Sequence, residues 1–287
     1  MNILITGTNG QVGSEIKALS CDYDYNFFFT TRENLDITNS EEVKNFCEVN
    51  NINTIINCAA YTAVDKAETD IDNADLVNRK AVKKLAKISE ELNIKLIHIS
   101  TDYVFDGKNF KPYTEEFQTN PNSNYGKTKL DGEKELIKIN PKNSIIIRTS
   151  WVYSSFGGNF VKTMLKLGKT KDELGVIFDQ VGTPTYAKDL AKAILDIIPN
   201  VINEKVEIYN YSNEGVLSWY DFAKEIMKMA KIDCTINPIE TYQYPTPATR
   251  PHFSLLNKAK IKNEFKITIP FWKDSLSECL KVLGERK

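Results

Sequence analysis

Four short apolar runs set the frame for this chain: Ile3–Thr6, Thr54–Ala60, Lys95–Ser100 and Ser144–Ser150. Each is close to continuous in isoleucine, leucine and other apolar residues, without strict polar alternation. Strands of that kind belong in a sheet covered on both faces, the situation of parallel α/β sheets. Asn26–Thr30 reads as a further strand. Between the runs, Gln11–Leu19, Glu41–Val49 and Asp75–Leu92 read as helices, with Asn39 or Ser40 as an N-cap for the second. The third places Leu76, Val77, Ala81, Leu85 and Ile88 on one face. Strand, helix, strand, repeated, predicts an α/β fold: a Rossmann-like, doubly wound parallel sheet with its ligand crevice at the carboxyl ends of the strands.

After Trp151 the rhythm weakens. Gly157–Lys169, Tyr186–Ile198 and Trp272–Gly284 look helical, and the Pro-, Thr- and Tyr-rich stretch Thr241–Pro251 reads as an ordered loop. The expected organisation is a sheet domain over 1–149 and a smaller mixed lobe over 150–287, partly interleaved with the first.

Composition excludes several classes of function. Formal net charge is -1 with 26% charged residues of mixed sign, so no basic stripe points to nucleic acid or to a membrane surface. No apolar run is long enough to span a bilayer. The five cysteines are scattered without a CxxC pair, which speaks against disulfides and zinc, and no other metal site is read from the residues. The chain opens directly on a strand, without a charged leader. Together these features predict a cytoplasmic protein.

Gly7-TNGQVG-Gly13 follows the first strand and precedes a helix. Glycines there, Gly7, Gly10 and Gly13, permit a tight turn and let backbone amides approach a pyrophosphate at the helix N-terminus. The second strand runs into Thr30-TRENLD-Asp36, where an acid often holds an adenosine ribose. Arg32 stands there instead and suits a 2′-phosphate, so NADPH is expected ahead of NADH. Ala59 and Ala60 leave room at the third strand end for a flat ligand. Thr101 and Asp102 end the fourth strand, where a carbonyl and a hydroxyl of a substrate would lie. Tyr125 and Lys129, one helical turn apart, face the same way. A phenol near pKa 10 is a poor acid at neutral pH, and an adjacent ammonium lowers that pKa. A hydroxyl, a phenol and a lysine beside a dinucleotide site form the constellation of a carbonyl reductase.

On Gly7-TNGQVG-Gly13, Leu35-DIT-Thr38, Ala59-AYTAVDKAE-Glu68, Ser100-TDYVFDG-Gly107, Tyr125-GKTKLDGE-Glu133, Arg148-TSWVY-Tyr153, Asp179-QVGTPT-Thr185 and Arg250-PHFSLL-Leu256, the chain resembles the extended short-chain dehydrogenase/reductases. Within them it is most similar to the dTDP-4-dehydrorhamnose reductases, over nearly its whole length. The resemblance implies reduction of the C4 ketone of dTDP-4-dehydro-β-L-rhamnose with NADPH or NADH, for surface polysaccharide. It implies Tyr125 as proton donor, Lys129 as its pKa partner and ribose ligand, and Thr101 as the tuning hydroxyl. Thr101, Asp102 and Trp151 would contact the sugar nucleotide. Gly10, Gln11, Val12, Asp36, Ile37, Ala59, Ala60 and Tyr61 would line the cofactor. Arg250 suits a diphosphate, since a guanidinium forks onto phosphate oxygens.

Some members dimerise through magnesium held by glutamates. Glu15 fits the first position, but Lys188 stands where a later acid is expected, which speaks against that Mg2+ site and that dimer. A monomer or a homodimer remains open. Two rivals remain: another sugar-nucleotide enzyme of the same fold, such as a different 4-keto-6-deoxysugar reductase, and a non-catalytic regulatory subunit. Intact Thr101, Tyr125 and Lys129 speak for catalysis.

Overall fold

The structure, a computed structural model, describes residues 1–286. Its first half follows the expected alternation. β1 (Asn2–Thr6), α1 (Gln11–Leu19), β2 (Asn26–Phe29), α2 (Ser40–Val49) and β3 (Thr54–Asn57) come first. Asn39 caps α2, its side chain accepting from the Glu42 amide. The expected helix at 75–92 is longer and broken in register: α3 (Ile71–Asp75) runs into α4 (Val82–Glu91) through a π-helical stretch, Leu76–Ala81. β4 (Lys95–Thr101), α5 (Asn124–Ile139) and β5 (Ile145–Thr149) follow.

The second half adds smaller pieces around the first. β6 (Val152–Tyr153) pairs with β9 (Thr185–Tyr186), β7 (Glu173–Ile177) with β12 (Thr235–Ile239), and β8 (Val181–Gly182) with β11 (Leu217–Ser218). Helices α6 (Phe160–Gly168), α7 (Ala187–Ile197), α8 (Trp219–Ala230), α9 (Ala259–Phe265) and α10 (Trp272–Val282) complete it. β10 (Glu207–Tyr211) leaves this group and joins the central sheet, pairing in parallel with β5.

The central sheet has six parallel strands in the order β10-β5-β4-β3-β1-β2. Side-chain alternation divides them between two layers. Ile3, Ile5, Ile97, Ile145 and Ile147 pack with α1 and α7, whereas Leu4, Ile55, Leu96 and Ile146 pack with α2, α4 and α5. A second core, around Tyr153, Tyr186, Phe222, Trp272 and Leu276, supports the other lobe. The chain leaves β1 towards β2 on one side and returns to β3 on the other. The carboxyl ends of β1 and β3 therefore diverge into loops that leave a crevice.

Candidate active site

A cavity of about 760 Å³ opens along those carboxyl ends. Its floor is the turn after β1. Gly7 has φ +67°, and a Cβ there would come within 2.7 Å of the Ala59 backbone, so only glycine lets the two loops close together. No side chain caps the first turn of α1, where Gly10 is the N-cap and Gln11 and Val12 follow. The Gly10 amide closes the turn onto the Gly7 carbonyl at 2.9 Å, which leaves Gln11 and Val12 to line the cavity at the positive end of the helix dipole. This cradle fits a dinucleotide pyrophosphate. Gly13 lies behind it, within 2.7 Å of Thr8 and Gly7 if given a Cβ, and does not line the cavity.

Arg32 lies at the rim with its side chain 80% exposed, 3.5 Å from the Asp36 carboxylate. Asp36 also accepts from the Thr38 amide, and Ile37 forms the wall beside it. Ala59, Ala60 and Tyr61 supply the opposite wall. Their loop is held by Asn78, a buried residue of the π-helical stretch that the sequence did not single out. Asn78 accepts from the Tyr61 amide at 2.9 Å and donates to the Tyr61 carbonyl at 3.1 Å and the Thr128 hydroxyl at 3.2 Å. The extra residue of a π-turn rotates a side chain out of ordinary helical register, and such turns gather at functional sites.

Tyr125 and Lys129 project from the first turns of α5. Ser123 caps that helix, and Glu68 accepts from both the Asn124 amide (2.8 Å) and the Asn124 side chain (3.0 Å). A Cβ at Gly126 would lie 2.2 Å from the Tyr103 carbonyl, so α5 packs hard against the segment after β4. That packing buries both functional side chains: Tyr125 is 9% and Lys129 2% exposed.

Burial changes the expected electrostatics. The Tyr125 phenol is pushed up to about 12, with the Thr101 hydroxyl pulling it down and the Asp102 charge pushing it up. The expectation of a phenol lowered by Lys129 does not hold here, because Lys129 points elsewhere. Its Nζ donates to the Ile99 carbonyl at 2.6 Å and lies 3.5 Å from His98 Nε2, and burial lowers its pKa to about 8.

Thr101 donates to Asp102 Oδ1 at 3.0 Å and accepts from the Tyr103 amide at 3.2 Å. Asp102 is buried, and its Oδ2 has no hydrogen-bond partner among the described residues. Burial raises its pKa to about 7 against the opposing pull of Thr101.

Trp151 lines the cavity and lies flat on Trp219, with centroids 3.7 Å apart and planes 12° apart. Its φ of +49° is a costly conformation for a bulky residue, of the sort found at ligand sites. One ring face is packed on Trp219 while the ring lines the cavity. Arg250 does not line the cavity. It forks onto Asp65 at 2.8 and 3.1 Å, tying the 241–251 loop to the loop after β3. Gly157 and Gly158 also line the cavity, from a stretch whose expected helix begins only at Phe160.

Glu15 accepts from Ser154 at 2.6 Å, and burial raises its pKa. Lys188 pairs with Glu278 nearby. Among the described residues no three His, Cys, Asp or Glu side chains are grouped to hold a metal, and no helix is long and apolar enough to cross a membrane.

The family model described as the RmlD substrate binding domain matches residues 1–284. A dTDP-4-dehydrorhamnose reductase of Aggregatibacter actinomycetemcomitans is 41% identical over 284 residues, 96% of each chain. The spore coat polysaccharide biosynthesis protein SpsK of Bacillus subtilis is 39% identical over 97% of this chain and 96% of its own. A solved dTDP-4-dehydrorhamnose reductase of Bacillus anthracis, in complex with NADP, superposes with TM-score 0.93 at 34% identity, covering 98% of this chain and 99% of that one.

Proposed function

The chain belongs to the RmlD substrate binding domain family, and on that premise we propose that it reduces the C4 ketone of dTDP-4-dehydro-β-L-rhamnose to dTDP-L-rhamnose with NADPH. The observation that carries the reading is the convergence of Thr101, Tyr125 and Lys129 on the same cavity as the Gly7–Val12 turn. We place the protein in the cytoplasm, as a monomer or a homodimer, supplying sugar nucleotide for surface polysaccharide.

NADPH, when bound, supplies the hydride. The amides of Gln11 and Val12, set by the Gly10 turn, would hold its pyrophosphate, Arg32 its 2′-phosphate, and Lys129 its nicotinamide ribose. Ala59, Ala60 and Tyr61 wall the dinucleotide on the other side, with Asp36 and Ile37 at the adenosine end. Asp102 and Trp151 hold the sugar, and Arg250 exchanges Asp65 for the substrate diphosphate.

As C4 is reduced, its oxygen becomes an alkoxide. That oxygen is a much stronger base than a phenolate of pKa about 12, so Tyr125 gives up its proton readily at that moment and at no other. A phenol raised by burial is thus a reservoir that stays loaded at neutral pH. The Thr101 hydroxyl, which draws the phenol pKa down, offsets the phenolate charge until solvent reloads it.

The test is NADPH oxidation with dTDP-4-dehydro-β-L-rhamnose, run beside a UDP-linked 4-keto sugar. Turnover with the thymidine substrate alone is expected. Turnover with neither, despite NADPH binding, overturns the assignment.

A further inference from the structure

Three polar side chains lie side by side in the middle of an apolar layer. Thr6, Asn57 and His98 are lateral neighbours across β1, β3 and β4, Thr6 opposite Asn57 and Asn57 opposite His98. They are 1%, 1% and 0% exposed. One row earlier, the same face carries Leu4, Ile55 and Leu96. The three are joined. Thr6 donates to Asn57 Oδ1 at 2.7 Å, the Asn57 amide nitrogen is 3.0 Å from His98 Nδ1, and His98 Nε2 is 3.5 Å from Lys129 Nζ.

Apolar side chains would hold this sheet face without the desolvation that a polar row carries. The row does not end on another structural group. It ends on Lys129. We propose that His98 is a positioning residue for Lys129, with Asn57 and Thr6 fixing its ring. The inference rests on the reading of Lys129 as a cofactor ligand.

Burial and the Lys129 charge keep the imidazole neutral, so it carries a single proton. With that proton on Nδ1, donated to Asn57 Oδ1 once its amide is turned over, Thr6 Oγ1 accepts from the amide nitrogen in place of donating to the oxygen, and Nε2 is an acceptor for the ammonium. Lys129 then has two fixed acceptors, Nε2 and the Ile99 carbonyl, both on β4, and its remaining N–H points at the cavity. The other groups around it are Tyr125 one turn back and Glu133 one turn on. Glu133 is already forked onto Arg148 of β5. The row therefore fixes one ammonium geometry without adding a charge.

The variants His98→Asn, His98→Gln and Lys129→Ala in the full chain decide it. An asparagine amide reaches the place of Nδ1 and keeps Asn57 satisfied, but stops short of Lys129. A glutamine amide reaches the place of Nε2. We expect His98→Asn to raise the KM for NADPH about tenfold and to move the alkaline limb of kcat/KM to lower pH, because the ammonium has lost an acceptor. His98→Gln should restore most of both. Wild-type KM and pH profile in His98→Asn, with Lys129→Ala inactive, overturns the inference alone. A fully active Lys129→Ala overturns it together with the reading beneath it. If His98→Asn does not fold, nitrogen NMR of the unaltered protein decides, since it holds only two histidines. A His98 ring signal that steps with the Lys129 titration supports the contact, and its absence overturns it.

Discussion

Thr101 donates its hydroxyl proton to Asp102, its neighbour in the chain, at 3.0 Å. A hydroxyl whose proton is so directed turns a lone pair to the Tyr103 amide, 3.2 Å away. In this state its one proton is committed, and it is free to donate to the Tyr125 oxygen or to a ketone only once the carboxyl stops accepting.

That buried carboxyl gives stability a pH dependence. Its folded pKa, about 7, lies above the unfolded value of roughly 3.9. Between the two the folded state retains a proton that the unfolded state has lost, so this group lowers stability as pH rises through that window. Asp102→Asn should flatten the fall in melting temperature from pH 4 to pH 7.5. An unchanged slope would remove Asp102 as the cause.

Tyr125→Phe deletes the proton source and leaves the ring in place. We expect kcat to fall by a factor of roughly 10² or more. NADPH affinity, measured by fluorescence titration, should stay within about threefold, because the cradle does not depend on the phenol oxygen.

Arg32 sits at the cavity rim, held among the described residues by Asp36 alone. Arg32→Ala should raise the KM for NADPH about tenfold and leave that for NADH nearly unchanged. Equal effects on both would sink its role at the 2′-phosphate.

Arg148 and Glu133 form a forked pair, 3% and 1% exposed, that fastens α5 to β5. Arg148→Ala strands a buried carboxylate. Losing one partner of such a pair costs about 3–5 kcal/mol. Chemical denaturation should show that loss, and Glu133→Gln in the same background should recover part of it.

Most of the sheet was legible in the sequence, since strands buried on both faces announce themselves as apolar runs. β10 was not. Glu207-IYNY-Tyr211 mixes polar and aromatic residues, and its partner β5 lies some 60 positions earlier. The helix at 219–230 was overlooked although Ser218 and Asp221 spell out a capping box. In the site, helical spacing put Tyr125 and Lys129 on one face of α5. Spacing carries no information on burial, which reversed the direction expected for the phenol. Asn78 and His98 escaped notice for a related reason: their significance lies in neighbours on other elements.

The late arrival of β10 bears on how this protein is made. Until Tyr211 has left the ribosome, the nascent sheet ends at β5, a strand of Ile-Ile-Ile-Arg-Thr with no exposed residue in the finished fold. Its free edge is a template for pairing with other chains. A fragment ending at residue 149 would carry that edge permanently. Slow translation or chaperone capture between 150 and 211 would therefore affect the yield of folded protein more than the same delay anywhere beyond it.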